Sequence, residues 1–309
     1  MDGILNINKP QGMTSFGAVA RVKRLTGERR VGHAGTLDPE ASGVLPICLG
    51  KGTKITGFLA DTTKVYRAEI ELGRATDTYD SSGRTTQRGD PSGISRKQCQ
   101  AALTAFQGRI QQTPPMYSAL KYRGKRLYEL ARAGIQVERP SRPVRIDRLE
   151  LSDWQPPLAT VEVVCGKGTY IRSLAHDLGQ VLGCGATLKS LIRLRCGLFD
   201  IKDSVSLTEL EDAARYGYWH NFVYPVDIAF LDWAAIVVNK ATEQQVRNGQ
   251  SLVLESKTSD REIAFSQERS SADSPSQDRC RVYDLDGCFL GVLRFHPESR
   301  QWHPEKIFR

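Results

Sequence analysis

The stretch VGHAGTLDPEASGVLPICLG, Val31–Gly50, has neither the alternation of a half-buried strand nor the spacing of an amphipathic helix. It reads as a stiff, glycine-rich loop built around the carboxylate of Asp38. Pro39 biases Asp38 toward an extended backbone. Gly32, Gly35 and Gly43 allow sharp turns and the close approach of a bulky ligand. Such a loop can fix a carboxylate in the geometry that catalysis requires. Asp-Pro is also a common turn former, and composition alone favours a carboxylate that only caps a turn.

Outward from this stretch the pattern becomes regular. ILNINKP, residues 4–10, reads as a short strand closed by Pro10. The following TSFGAVARVKRLTG predicts a helix capped by Thr14 or Ser15, with Phe16, Val19 and Leu25 on its apolar face and Gly27 at its end. KVYRAEIELG alternates cleanly and predicts a strand with Tyr66, Ala68, Ile70 and Leu72 facing inward. Residues 80–94 are turn formers. SRKQCQAALTAFQG predicts a helix with a Ser95–Gln98 capping box, and GKRLYELARAG a shorter one stopped by Gly134. VRIDRLEL and LATVEVVCG read as strands and TYIRSLAHDLGQVLG as a helix. Strands and helices mix without β-α-β alternation, which predicts an α+β fold.

The character changes near residue 225. Residues 255–279 are polar and serine-rich, and a mobile loop is expected there. RVYDLDGCFLGVLRF places two β-type runs around Asp286-Gly287, a hairpin pattern. Two domains are expected, 1–225 and a small β-rich 226–309.

The chain of 309 residues carries a formal net charge of +8, which suits a polyanionic partner such as nucleic acid. Its seven cysteines form no C-x-x-C pair, which argues against a zinc site or a disulfide framework. No histidine pairs at i, i+4 in a zinc-type motif, so no metal is expected. The N-terminus lacks the pattern of a signal peptide and no apolar run approaches a membrane span, so a cytoplasmic protein is expected. LGKGTK and CGKGTY resemble phosphate loops but lack the required earlier glycine and the following Ser or Thr. They read as glycine-permitted turns beside strands.

INKPQGMTS, GHAGTLDPEASGVLP, KVYRAEIELGRATDTYDSSG, PPMYSALKYRGKRLYELARAG and GTYIRSLAHDLG occur in this order. Together they closely resemble the TruB-type tRNA pseudouridine synthases, over roughly residues 3–200. The resemblance implies the pseudouridine synthase fold, with a mixed, mostly antiparallel central sheet flanked by helices, and a PUA-like C-terminal domain. It implies an isomerase acting on the T-loop uridine at position 55 of tRNA, a monomer that binds the tRNA T-arm. Asp38 matches the catalytic aspartate, and Tyr66 the tyrosine that packs against the target base. Tyr170 matches the tyrosine that lines the pocket, and Arg172 the arginine that pairs with the carboxylate. His33 matches the histidine that contacts RNA where the loop is opened, and Leu191 the leucine of a later L-x-R segment. Lys9 and Pro10 fall in the motif that buttresses the site, and Lys9 is grouped with the substrate-binding residues.

Such chemistry is consistent with these residue types. The enzyme must reach the sugar and the base edge, so the nucleotide leaves its stack and aromatic walls can hold it. One carboxylate can serve as nucleophile or base, and a neighbouring arginine keeps it ionised. The isomerisation consumes no water and changes no oxidation state, so no cofactor is implied. Two other readings stay open: a non-catalytic RNA-binding or chaperone protein, and a glycoside-cleaving hydrolase pairing Asp38 with Asp77 or Asp80. Asp77 and Asp80, in TDTYD, otherwise read as turn chemistry, and Arg172 has Asp80 and Asp177 as alternative partners.

Overall fold

A computed structural model of the chain describes residues 1–253 and 278–308. The expected mobile loop at 255–279 lies outside the described residues except for its last two, and Arg279 already opens a strand, Arg279–Tyr283. The architecture is α+β, built on an 11-stranded mixed sheet. Its central path runs from Gly3–Lys9 through Ala41–Leu49, Ala186–Cys196, Lys64–Leu72, Leu158–Cys165 and Arg142–Gln155 to Gly108–Gln112. Most neighbours are antiparallel. Ala41–Leu49 runs parallel to Ala186–Cys196, and Gly3–Lys9 parallel to Val205–Ser206. The helices Ser15–Thr26, Arg96–Thr104, Ile171–Val181 and Leu207–Arg215 supply the remaining layer. None of the described helices is long and apolar enough to cross a membrane.

The expected loop at 31–50 is corrected in its second half. Ala41–Leu49 is a strand, buried at every position but Ser42. A strand covered on both faces reads as a continuous apolar run, which periodicity alone cannot identify. Gly43 obscured it further, and is needed there. Its φ is +103°, and a Cβ would lie 2.3 Å from the carbonyl oxygen of Arg193 on the neighbouring strand.

The first helix starts at a Thr14 cap and ends at a left-handed Gly27, as its sequence predicts. Its inward face is Ser15, Ala18 and Val22, however. Phe16 is 71% exposed and sets its ring edge-on against His33. The capping box at Ser95–Gln98 is formed.

The C-terminal strands Ala234–Val237, Arg279–Tyr283, Phe289–His296 and Gln301–Ile307 form a second, four-stranded sheet, with the hairpin at Gly287. The C-terminal sheet has a buried cluster of its own, with Ile236, Val246, Val282 and Leu293. Val226, Phe230 and Val292 share one buried cluster with Ile4, Val44, Cys48 and Leu59 of the main sheet side. All seven cysteines are free, and all but Cys288 are buried.

Candidate active site

Asp38 sits in the short connection between the strands Val31–His33 and Ala41–Leu49, and the residues on either side of it are clamped. Ser15 Oγ accepts from Leu37 N at 2.8 Å and donates to Leu37 O at 2.9 Å. The carbonyl of Pro39 accepts from Gly12 N at 2.8 Å and lies 3.4 Å from Lys9 Nζ. Lys9 Nζ also donates to the carbonyls of Pro10 and Met13, each at 2.7 Å. A buried polar group left unpaired is costly, so each clamp resists local rearrangement.

Lys9 is wholly buried and absent from the wall of the cavity that Asp38 faces. It supports the loop instead. Burial, ahead of the attraction of Asp38 and Glu40, lowers its pKa to about 8.

Asp38 faces a cavity of about 280 Å³ that Tyr66, Tyr170, Arg172 and Leu191 also line. Arg172 lies in the first turn of the helix Ile171–Val181 and is 5% exposed. Its Nε lies 2.9 Å from Asp38 Oδ2, an ion pair whose N–H is not aligned on the oxygen as in a straight hydrogen bond. Its NH1 lies 3.4 Å from Asp80 Oδ2, and its NH2 donates to the carbonyl of Tyr117 at 2.8 Å. One guanidinium therefore holds two carboxylates and the 113–141 segment.

Although the Asp38 side chain is 40% exposed, its exposure is into the cavity. Loss of surrounding water raises its pKa above the usual carboxylate value. Arg172 opposes that rise and Asp80 adds to it.

Tyr170 is fixed through its backbone. Gln112, buried under the helix start, accepts from Tyr170 N at 2.8 Å and donates to its carbonyl at 3.0 Å. Tyr66 lies opposite Arg193 in the sheet register, and Leu191 lies opposite Ala68. Burial, the largest influence, pushes the Tyr66 hydroxyl up to about 12, against the lowering effect of Arg193. The hydroxyl therefore stays protonated at neutral pH.

The sequence-predicted residues are not all brought together. His33 lies on a separate concave surface with Phe16, Arg29 and Arg30. Burial, then Arg193, lowers its pKa, and its Nδ1 has no hydrogen-bond partner among the described residues.

Asp80 does form the turn that TDTYD predicts. Its Oδ1 accepts from Thr78 Oγ1 at 2.7 Å and from Ser82 N at 3.1 Å. The same carboxylate meets Arg172 with its other oxygen. Asp77 only accepts from Arg84 N, at 2.8 Å.

Ser15, Gln112, Lys64 and Arg193 were not found from sequence. Lys64 carried a usable sign, because it continues the inward-facing series Tyr66, Ala68, Ile70, Leu72. The turn Gly166–Thr169, one half of the discarded phosphate-loop echo, forms part of the cavity wall. Among the described residues no cluster of His, Cys, Asp and Glu could hold a metal.

Solved structures share this architecture. A Cbf5-Nop10-Gar1 complex contains a chain with TM-score 0.74 and 24% identity, matched over 99% of this chain and 85% of that one. An H/ACA RNP bound to a substrate RNA containing 2′-deoxyuridine contains one with TM-score 0.72 and 23% identity. These likenesses fix the fold, an α+β architecture shared with those chains.

Sequence comparison narrows it. Residues 23–171 match the TruB family pseudouridylate synthase N-terminal domain, and residues 172–230 the tRNA pseudouridylate synthase B C-terminal domain. A tRNA pseudouridine synthase B from Dehalococcoides mccartyi is 43% identical over all of this chain and 97% of its own length. Another, from Clostridium acetobutylicum, is 42% identical over 97% of each. The chain belongs to the TruB family of tRNA pseudouridine synthases, and is an isomerase. The family's division at residue 171 falls at the start of a helix, between strands of one continuous sheet.

Proposed function

We propose that this chain converts the T-loop uridine at position 55 of tRNA to pseudouridine, with the nucleotide flipped into the cavity and Asp38 acting as nucleophile or base. The carrying observation is the Asp38–Arg172 pair at 2.9 Å on the wall of a cavity that also presents two tyrosines. Tyr66 and Tyr170 offer faces on which a flipped base can stack. Leu191 closes the pocket with apolar surface. All of these residues come from one chain, so a monomer suffices. The net charge of +8 suits a phosphate-led interface with the T-arm.

The reaction breaks the N1–C1′ bond and makes a C5–C1′ bond. In the nucleophilic route an Asp38 oxygen bonds to C1′ as N1 departs with the bonding pair. The ring turns, C5 attacks C1′, and the carboxylate leaves with its own pair. C5 then loses its proton and N1 gains one. Arg172 holds Asp38 ionised and oriented for this sequence, and Asp80 fixes the far edge of Arg172.

The hydrolase reading gains nothing from Asp77, which is spent on its turn. Asp80 meets Arg172 but is not on the wall of the cavity that Asp38 faces, so it is not placed to act there as a second acid. The test is to map pseudouridine in bulk tRNA from cells lacking the protein. The site at position 55 should revert to uridine, and return with the wild-type chain but not with Asp38→Asn. Retention of the modification in the deletion strain refutes the assignment.

A further inference from the structure

The cavity floor holds two buried cations that the mechanism above leaves unused. Lys64 is 5% exposed and Arg193 1% exposed, and both line the cavity that Asp38 faces. They lie on one patch of sheet. Lys64 precedes Tyr66 by two residues on the same strand face, and Arg193 is the cross-strand neighbour of Tyr66.

Neither cation has a carboxylate partner among the described residues. Lys64 Nζ donates to the carbonyl of Ala60 at 2.5 Å and to that of Thr62, which leaves its third hydrogen without a partner among the described residues. Arg193 Nε donates to the carbonyl of Val44 at 2.6 Å and its NH2 to that of Gly35 at 3.1 Å. Asp61, the carboxylate that acts on Lys64 electrostatically, is exposed and paired with Lys167 at 2.5 Å.

Two uncompensated positive charges in a partly dry pocket are costly to the fold. Burial and the repulsion of Arg193 both act to lower the Lys64 pKa. Such a floor is suited to a ligand that becomes negative only during reaction.

We propose that Lys64 and Arg193 stabilise the negative charge that develops on the uracil ring when its bond to the sugar is broken, making Lys64 a further catalytic residue. The proposal rests on the isomerase reading of the Asp38 cavity. It does not depend on how Asp38 acts. If the carboxylate attacks C1′, or if a 2′ proton is removed, the N1–C1′ electron pair leaves with the ring and spreads onto O2 and O4. If the carboxylate adds at C6, the displaced ring pair spreads onto O4. In each case the ring oxygens carry the charge until a proton is gained at N1 or C5–C1′ bonding consumes the pair.

The experiment is single-turnover conversion of tRNA by wild type and by Lys64→Gln, which can still donate to both carbonyls but has no charge. Lys64→Gln should lose on the order of a hundredfold in rate, the scale of removing one group aimed at developing negative charge. Its affinity for tRNA should stay within about threefold, since affinity is spread over many phosphate contacts. tRNA carrying 5-fluorouridine at the target provides the discriminating readout. Fluorine lets the ring bear the charge itself, so the wild-type to variant rate ratio for loss of the N1–C1′ bond should shrink about tenfold or more. A merely structural defect lowers both substrates alike, and equal ratios overturn the proposal, as does a near-normal rate on uridine.

A wild-type measurement guards against a variant that does not fold. Barbiturate, a pyrimidine ring that is anionic at neutral pH, should inhibit conversion at a concentration at least about tenfold below that needed for neutral uracil. Failure of barbiturate to inhibit better than uracil overturns the proposal. Wild type that makes no pseudouridine defeats the isomerase reading instead, and Asp38→Asn that does make it defeats the role given to Asp38.

Discussion

The Asp38 loop and the 113–141 segment both reach Arg172, yet they are built in opposite ways. Around Asp38 the backbone of Leu37 and Pro39 is bonded to Ser15, Lys9 and Gly12, residues from the first strand and helix. The 113–141 segment has its own small cluster, Met116, Leu127 and Leu130, apart from the main core. It carries a two-residue hairpin turn at Arg123-Gly124, both with positive φ, and exposed cations at Lys121, Arg123, Lys125 and Arg132. It reaches the site mainly through carbonyls: Tyr117 to Arg172, and Thr113 to Ser173 Oγ at 2.8 Å. The Asp38 carboxylate is held from several elements. The charged 113–141 segment is held lightly, because local opening costs little where few buried contacts are lost.

The comparison fails most visibly if Asp38 is dispensable. Asp38→Asn should lower single-turnover conversion on the order of 10⁴-fold or more, the scale of losing a reacting group, with tRNA affinity nearly unchanged. Rapid-quench conversion beside equilibrium binding reads both. Next in size is Arg172→Lys, which keeps charge but loses the fork that serves Asp38, Asp80 and Tyr117 together. A drop of roughly a hundredfold in turnover is expected, with little change in affinity. Equal damage to turnover and binding would mean that Arg172 acts chiefly by seating the 113–141 segment.

Ser15→Ala isolates the stiffness of the loop, because Ser15 does not line the cavity that Asp38 faces. Two buried bonds to Leu37 vanish, for a loss of about 1–3 kcal/mol in denaturant unfolding. Turnover should fall about tenfold at unchanged affinity, by misplacement of Asp38. A stability loss with normal turnover would show that the loop holds its geometry without this clamp. In the other region, Lys121→Ala with Arg123→Ala and Lys125→Ala should weaken tRNA binding and flatten its dependence on log salt. The slope should change by about 0.7–0.9 for each phosphate contact removed. Conversion at saturating tRNA should persist. Unchanged salt dependence would remove RNA contact from this hairpin.

The smallest effects concern protons. The Asp38 carboxyl is raised above 3.8 when folded, so the native state keeps a proton that the unfolded chain releases. Stability contributed by this group therefore falls as pH rises from 3.8 through the folded value. Asp38→Asn, always neutral, should melt above wild type at neutral pH, with the gap closing in acid. The acid limb of conversion should likewise sit above the usual carboxylate range. It should move to lower pH in Asp80→Asn, because Asp80 is one of the charges raising Asp38. A wild-type limb at the ordinary carboxylate value would remove burial as the dominant influence on Asp38.

Legibility differed with the kind of constraint. The helix start at Thr14, its end at Gly27, the Ser95–Gln98 box and the Lys64–Leu72 strand were readable because capping and alternation are local. Ala41–Leu49 was not, because burial on both faces erases alternation. Phe16 was misassigned inward because helical spacing does not say which side of a helix meets the core.

By itself the sequence determined the α+β class, the family and the candidate carboxylate, since ordered motifs and local periodicity are properties of the chain. Only tertiary structure decided that Ser15 clamps the Asp38 loop, that Asp80 shares Arg172, that Lys64 and Arg193 line one cavity beside Tyr66, and that His33 lies elsewhere. Each of these depends on residues far apart in sequence being brought within a few ångströms, and hydrogen bonds and charges act only over such distances.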